Sequence, residues 1–167
     1  MRVVRTAATF VTVALVAAFT IAAPAYAADS NARLKSRTDG RCAAVSYLNG
    51  TLIRPDCSYS QTRWHYQPRS TSPSGHKLVK FQSIYNNGCM DTGGAGSGGD
   101  VVSIACNTGN NQLWEEFVVG SYYVYKSWGA WTNRGQHLCL YAHPSYEEHL
   151  ITCDTSVYSQ QWARPAA

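Results

Sequence analysis

The sequence predicts an all-β domain assembled from three copies of one short unit. Three observations carry this: cysteines and tryptophans that recur at a fixed interval, short strand-like segments bounded by turn residues, and no stretch past residue 27 that keeps a helical period over three turns.

The interval comes first. Laying the chain on itself with a shift of 47 to 50 residues aligns Cys42, Cys89 and Cys139 in one column and Cys57, Cys106 and Cys153 in a second. Trp64, Trp114 and Trp162 form a third column, seven to nine residues after the second cysteine of each unit. A glutamine stands shortly before each tryptophan, as Gln61, Gln112 and Gln160. Three copies of one pattern imply three copies of one structural unit.

Within a unit the cues are for strands. Lys77-Leu78-Val79-Lys80-Phe81 and Tyr122-Tyr123-Val124-Tyr125 are short, rich in β-branched or aromatic residues, and flanked by Gly, Ser, Asn and Pro. A unit of this size cannot bury its own apolar face. Three of them can share a core by closing around a pseudo-threefold axis.

The first residues read differently. Met1, Arg2 and Arg5 precede an apolar stretch from Ala7 to Ala23, followed by Ala25-Tyr26-Ala27. That order matches a cleavable secretory signal, and threonines at 6, 9, 12 and 20 make the stretch a poor membrane span. The expected organisation is a signal peptide over 1–27 and one domain over 28–167, with units at about 31–70, 71–120 and 121–167. No membrane span is expected once the signal is removed.

The full-chain charge of +4 falls to about +2 without Arg2 and Arg5, and the remaining basic residues are scattered. Nothing in that distribution calls for nucleic acid. All six cysteines lie in the part expected to be exported, which reads as three disulfides in a secreted, extracellular protein. The shortest cysteine spacing is fourteen residues, unlike the close pairs of a structural zinc site. Neither a metal nor a cofactor is expected.

Gly88-Cys89-Met90-Asp91, a Gly-rich turn, Val101-Val102-Ser103-Ile104-Ala105-Cys106 and Asn111-Gln112-Leu113-Trp114 together resemble one full unit of the ricin B-chain type lectins. Arg41-Cys42-Ala43-Ala44 through Trp64, and Leu138-Cys139-Leu140-Tyr141 through Gln160-Gln161-Trp162, resemble it less closely. The resemblance runs from about Arg33 to Arg164 and implies a β-trefoil with one bridge per unit: Cys42 to Cys57, Cys89 to Cys106 and Cys139 to Cys153. It implies that the three tryptophans are core residues. The first unit departs from Gln-x-Trp, because Gln61-Thr62-Arg63-Trp64 is one residue longer.

The resemblance also implies a site. A binding unit of that family uses an aspartate two residues after the first cysteine, an asparagine just before the Gln-x-Trp glutamine, and a ring two residues before the second cysteine. Residue by residue this gives Asp91 and Asn111 in the second unit, with Gln112 steadying Asp91 from behind. A carboxylate accepts from neighbouring hydroxyls, an amide both donates and accepts, and the pair therefore reads hydroxyl orientation. Ala44 and Tyr141 stand where the other units would carry the aspartate, and Ile104, Pro55 and Ile151 stand where a ring is expected. Tyr85, Tyr122, Tyr123 and Trp128 are candidates to supply the ring. The alternative role of Asp91 is a turn cap at the head of the Gly-rich loop.

Other chemistry is thin. The run from Gly93 to Gly99 lacks the Lys-Ser/Thr of a phosphate loop. Glu115-Glu116 and Glu147-Glu148 place neighbouring carboxyls on opposite faces of a strand, so neither pair flanks one bond, and solvated surface is the expected reading. Five histidines (His65, His76, His137, His143 and His149) have no nucleophile-elbow serine or free cysteine to activate, although His149 stands where it would assist a third-unit site. Asn49-Gly50-Thr51 fits the N-glycosylation pattern. The sequence therefore points to a secreted, non-enzymatic lectin expected to bind hexose-containing glycans of galactose-like type. The alternative is a trefoil without sugar binding that serves a larger secreted toxin or enzyme assembly through a protein partner.

Overall fold

Each unit folds as four strands, in a computed structural model that describes residues 30–166; the signal expected over 1–27 lies outside them. A short β1 (Ser30–Ala32) leads into the first unit, formed by β2 (Lys35–Ser36), β3 (Ala44–Val45), β4 (Gly50–Ile53) and β5 (Trp64–Thr71). The second contains β6 (Lys77–Ser83), β7 (Gly88–Asp91), β8 (Val102–Ala105) and β9 (Trp114–Val119). The third contains β10 (Tyr122–Ser127), β11 (Leu138–Ala142), β12 (Glu148–Thr152) and β13 (Trp162–Ala163), with helix α1 (Trp128–Arg134) between its first two strands. The chain is a β-trefoil.

Hairpins β3–β4, β7–β8 and β11–β12 are the arms of the units. The longer hairpins β5–β6 and β9–β10 carry the chain from one unit to the next. The end of the chain pairs with its beginning: Trp162 lies opposite Ser36, and Ala166 bridges Ala32. Closure of this kind leaves no long sheet edge open. No helix among the described residues is long and apolar enough to cross a membrane.

The repeat is visible in the core. Trp64, Trp114 and Trp162 are fully buried, and each indole N–H donates to the carbonyl of the residue just after its unit's first cysteine: Ala43 at 2.9 Å, Met90 at 3.4 Å and Leu140 at 3.3 Å. A buried indole needs such an acceptor, and truncating one to alanine should cost about 3–5 kcal/mol. Leu34, Phe81 and Tyr125 occupy another equivalent set, two residues before a buried serine, and the Phe81 and Tyr125 rings meet edge to face at 5.0 Å. Equivalent positions thus hold residues of unequal volume, which one shared core accommodates by interdigitation.

The bridges pair within units, Cys42–Cys57, Cys89–Cys106 and Cys139–Cys153, with Cα separations of 4.9, 5.0 and 4.9 Å. Each closes a loop of about 15 residues, worth about 3 kcal/mol on the chain-entropy account.

The connection after each unit's first strand positions the clefts. Ser36, Ser83 and Ser127 are buried, and their hydroxyls accept from the backbone N–H of Thr38 (3.2 Å), Tyr85 (3.1 Å) and Ala130 (3.0 Å). The N–H of the next residue donates to the neighbouring unit: Arg37 to Gln161, Ile84 to Arg63 and Trp128 to Leu113, all at 2.9–3.0 Å. Each connection therefore lies against the short helical turn of the unit before it. Six residues separate Ser36 from Cys42 and Ser83 from Cys89, but twelve separate Ser127 from Cys139. The extra six build α1.

Of the acidic pairs, Glu147 is exposed as the sequence reading expects, but the other three carboxyls are not solvated surface, which corrects that reading. Glu115, Glu116 and Glu148 are buried because each meets a cation. Glu115 lies 2.7 Å from Lys126 Nζ, Glu116 bonds Arg164, and Glu148 lies 3.2 Å from Arg54. Alternation along the strand holds nonetheless, since Glu115 and Glu116 serve different networks.

Candidate functional site

Three equivalent clefts lie between a first-cysteine strand and a short helical turn, at Ser60–Thr62, Asn110–Gln112 and Tyr158–Gln160. Their access differs.

The second-unit cleft holds the residues expected from sequence. Asp91 is 2% exposed, and its Oδ1 accepts from Gly93 N–H at 2.6 Å, which is the turn-capping geometry. Asn111 is half-buried beneath α1. A Cβ added to Gly129 would stand 2.7 Å from Asn111 Cα, so only glycine lets the helix backbone come this close. The helix spans both walls: Asn110 Nδ2 donates to Thr132 at 3.1 Å, and the Arg134 guanidinium donates to the carbonyls of Gly94 and Ala95. Ser127 caps its start and Gly135, at φ 66°, ends it in the left-handed conformation.

Gln112 does not reach Asp91. Its Oε1 accepts from Asn107 N–H at 2.8 Å and its Nε2 donates to the Ala105 carbonyl at 3.0 Å. Gln160 makes the same pair of bonds, to Asp154 N–H and the Thr152 carbonyl. Both amides tie the residues flanking the second cysteine to the helical turn. In the first unit Thr62, two residues before Trp64, takes the place, its hydroxyl donating to the Tyr59 carbonyl at 2.6 Å with the Cys57 carbonyl 3.1 Å away. The turn expected to differ there is the same turn, and Gln61 falls in the Asn111 position.

The third-unit cleft is open, with a volume of about 460 Å³. Tyr141 and Ser159 line it at the positions of Asp91 and Asn111, and Tyr146 and Tyr158 stand about half exposed around it. The first unit contributes Thr38, Asp39 and Arg54. Arg54 is nearly buried and fully engaged, donating to Asp39 at 3.0 Å, Glu148 at 3.2 Å and the His143 carbonyl at 2.7 Å. Burial works against ionisation of Asp39, but Arg41 N–H and the Arg54 guanidinium outweigh it and hold the carboxyl below its ordinary value. Burial pushes Glu148, behind this wall, well above the usual carboxylate range, with Arg54 offsetting only part. The cleft therefore combines an ionised acceptor, hydroxyls and tyrosine rings.

Tyr146 is unusual. In the β3–β4, β7–β8 and β11–β12 arms, Asn49, Gly98 and Tyr146 adopt φ of 66°, 81° and 67°. Asn and Gly tolerate that left-handed conformation, whereas a bulky aromatic is strained in it by about 1–3 kcal/mol. His149, proposed above as an assistant, lies 4.5 Å from the His143 ring and near Asp100 and Glu147, not in the cleft. The first-unit cleft is smaller, about 260 Å³, lined by residues including Pro55, Tyr59 and Gln61. Of the ring candidates named from sequence, Trp128 opens α1, Tyr122 packs on Arg37, Tyr123 stacks on Tyr125, and Tyr85 is exposed in the β6–β7 connection.

No family model matches the sequence, and no curated protein matches it. Solved structures do match in fold. The designed threefold-symmetric protein ThreeFoil aligns with a TM-score of 0.69 at 14% identity, over 82% of this chain and 99% of its own. The Polyporus squamosus lectin, bound to the human-type influenza-binding epitope, aligns at 0.66 and 14% identity over 84% of this chain and 50% of its own. A chain of the Haemophilus ducreyi cytolethal distending toxin aligns at 0.59 and 17% identity over 80% and 81%. At such identities the likeness establishes the β-trefoil fold.

Proposed function

We propose that this protein is a secreted carbohydrate-binding β-trefoil whose working site is the third-unit cleft. The observation that carries the reading is Tyr146, a bulky aromatic held in a left-handed conformation that favours Gly and Asn, at the rim of an open cleft with an ionised carboxylate. A ring face buries the C–H face of a sugar, while Asp39 and the hydroxyls accept from and donate to its hydroxyl groups. The Polyporus squamosus lectin, of the same fold, is bound to the epitope Neu5Aca2-6Galb1-4GlcNAc. The second-unit residues Asp91, Asn111 and Gln112 remain a site in this reading only if α1 lifts away.

Glycan-array screening of the purified domain, followed by calorimetry, tests the proposal. A single shallow site should bind hexose-containing glycans more weakly than about 0.1 mM. Tyr146→Gly should abolish binding without loss of stability. Intact binding in Tyr146→Gly together with its loss in Asp91→Ala would return the site to the second unit. A second reading, a subunit that docks a secreted protein, is favoured by the similarity to a toxin chain. It replaces the first if no glycan binds and one partner co-purifies from the culture medium.

A further inference from the structure

A second cavity, of about 390 Å³, shares no lining residue with the third-unit cleft. Its floor is apolar, made by Val124 of β10, Phe117 of β9 and the Cys139–Cys153 bridge. His76 closes one side, its ring 4.2 Å from Phe117; His137 closes another, its ring 4.4 Å from Trp131. Lys126 also lines the cavity, and its ammonium lies 5.8 Å from the Phe117 ring and 5.1 Å from the Trp131 ring.

The charge in this wall is already satisfied. Lys126 Nζ lies 2.7 Å from Glu115 Oε2, while Ser72 and Ser74 donate to Glu115 Oε1. Burial disfavours ionisation of Glu115, but the Lys126 and serine bonds outweigh it and hold the carboxyl below its ordinary value. The wall therefore offers no net charge to an anion. It offers few free hydrogen-bonding groups as well, chiefly the imidazoles and the Thr155 hydroxyl. A hexose placed here would leave several hydroxyls unpaired against apolar walls, at a cost for each.

A flat aromatic ring meets none of these costs. Its face would pack on the apolar floor, its edge would meet the imidazoles, and sulfur makes favourable contacts with rings. The volume lies in the range of small-molecule sites and exceeds the roughly 150 Å³ that admits benzene. We infer that this cavity is a binding site for a single aromatic ring of phenol or indole type, separate from the sugar cleft and independent of whether that cleft works. The ring arrives either as a free molecule, including the aglycone of a glycoside, or as an exposed aromatic side chain.

The test is NMR titration of the intact, disulfide-bonded protein with p-cresol, indole, N-acetyltryptophanamide and, as a non-aromatic control, cyclohexanol. Indole and p-cresol should shift resonances of Phe117, Val124 and His137 with Kd of about 1 mM, an ordinary affinity for so few atoms. Cyclohexanol should bind at least about tenfold more weakly. Thr155→Trp, at an exposed rim position, should plug the cavity and remove the shifts. His137→Ala, equally exposed, should weaken indole about fivefold. Binding of the free rings without N-acetyltryptophanamide supports a free-molecule site, and binding of all three supports a side-chain guest as well. No shift at Phe117 and Val124, equal binding of cyclohexanol, or unchanged binding in Thr155→Trp overturns the inference.

Discussion

The second and third units carry the same cleft in opposite states. In the second, the side chains that resemble a sugar site are present but lie under α1, with Asp91 2% exposed. In the third, Tyr141 and Ser159 replace them, and the cleft is open beside Asp39. Side-chain identity in a repeat is therefore insufficient to tell whether its cleft is open. The connection supplied by the next repeat decides.

The largest effect that separates the clefts should come from the bridges of their units. Removing Cys139–Cys153 or Cys89–Cys106 by paired Cys→Ala changes should each cost about 3 kcal/mol in denaturant melts. Only the first should also abolish glycan binding at temperatures where both variants stay folded. Binding lost equally in both would show that the clefts are coupled.

Gly129→Ala should come next. Alanine favours a helix over glycine by about 1 kcal/mol, yet its Cβ meets the Asn111 backbone, so a net loss of about 1–3 kcal/mol is expected. Measured stabilisation would mean that α1 does not rest on the second cleft. Tyr146→Gly should move the other way, gaining roughly 0.5–1 kcal/mol of stability as left-handed strain is relieved, while losing glycan affinity.

The smallest contrast is in acid. Because the folded-state value of Glu115 is lowered, its stabilising contribution is present above the unfolded value of about 4.5 and is lost as pH falls through the lower folded value. Glu115→Gln should flatten the acid limb of stability measured by urea denaturation, whereas Glu148→Gln, at a raised carboxyl, should leave that limb in place.

Much of the fold was legible in the residues. Cysteine and tryptophan columns marked the units, because bridge and core positions recur with the structure, and Lys77–Phe81 and Tyr122–Tyr125 fall within β6 and β10. The helix was hidden by compensation. Trp64 to Cys89 and Trp114 to Cys139 are both 25 residues, so the columns align. Yet the β9–β10 hairpin reaches its serine in thirteen residues where β5–β6 takes nineteen, and the six saved reappear as α1. The signal was the spacing from Ser127 to Cys139 against that from Ser83 to Cys89. Burial of Glu116 and Glu148 was not legible, since Arg164 and Arg54 come from other units, and that of Glu115 depends on the β9–β10 register that sets Lys126 opposite it. Nor was the strain at Tyr146, which depends on how the β11–β12 turn closes.

The buried serines and the backbone bond beside each of them have a consequence for how such a chain changes over generations. Each unit's connection rests on its predecessor in a closed circle, Arg37 on Gln161, Ile84 on Arg63 and Trp128 on Leu113. A duplication or graft of one unit would then carry its own arm but its neighbour's gate. Access to a cleft is set here at the junction between two repeats, and a shift of six residues between adjacent loops, neutral in length, covers one cleft without altering the residues within it.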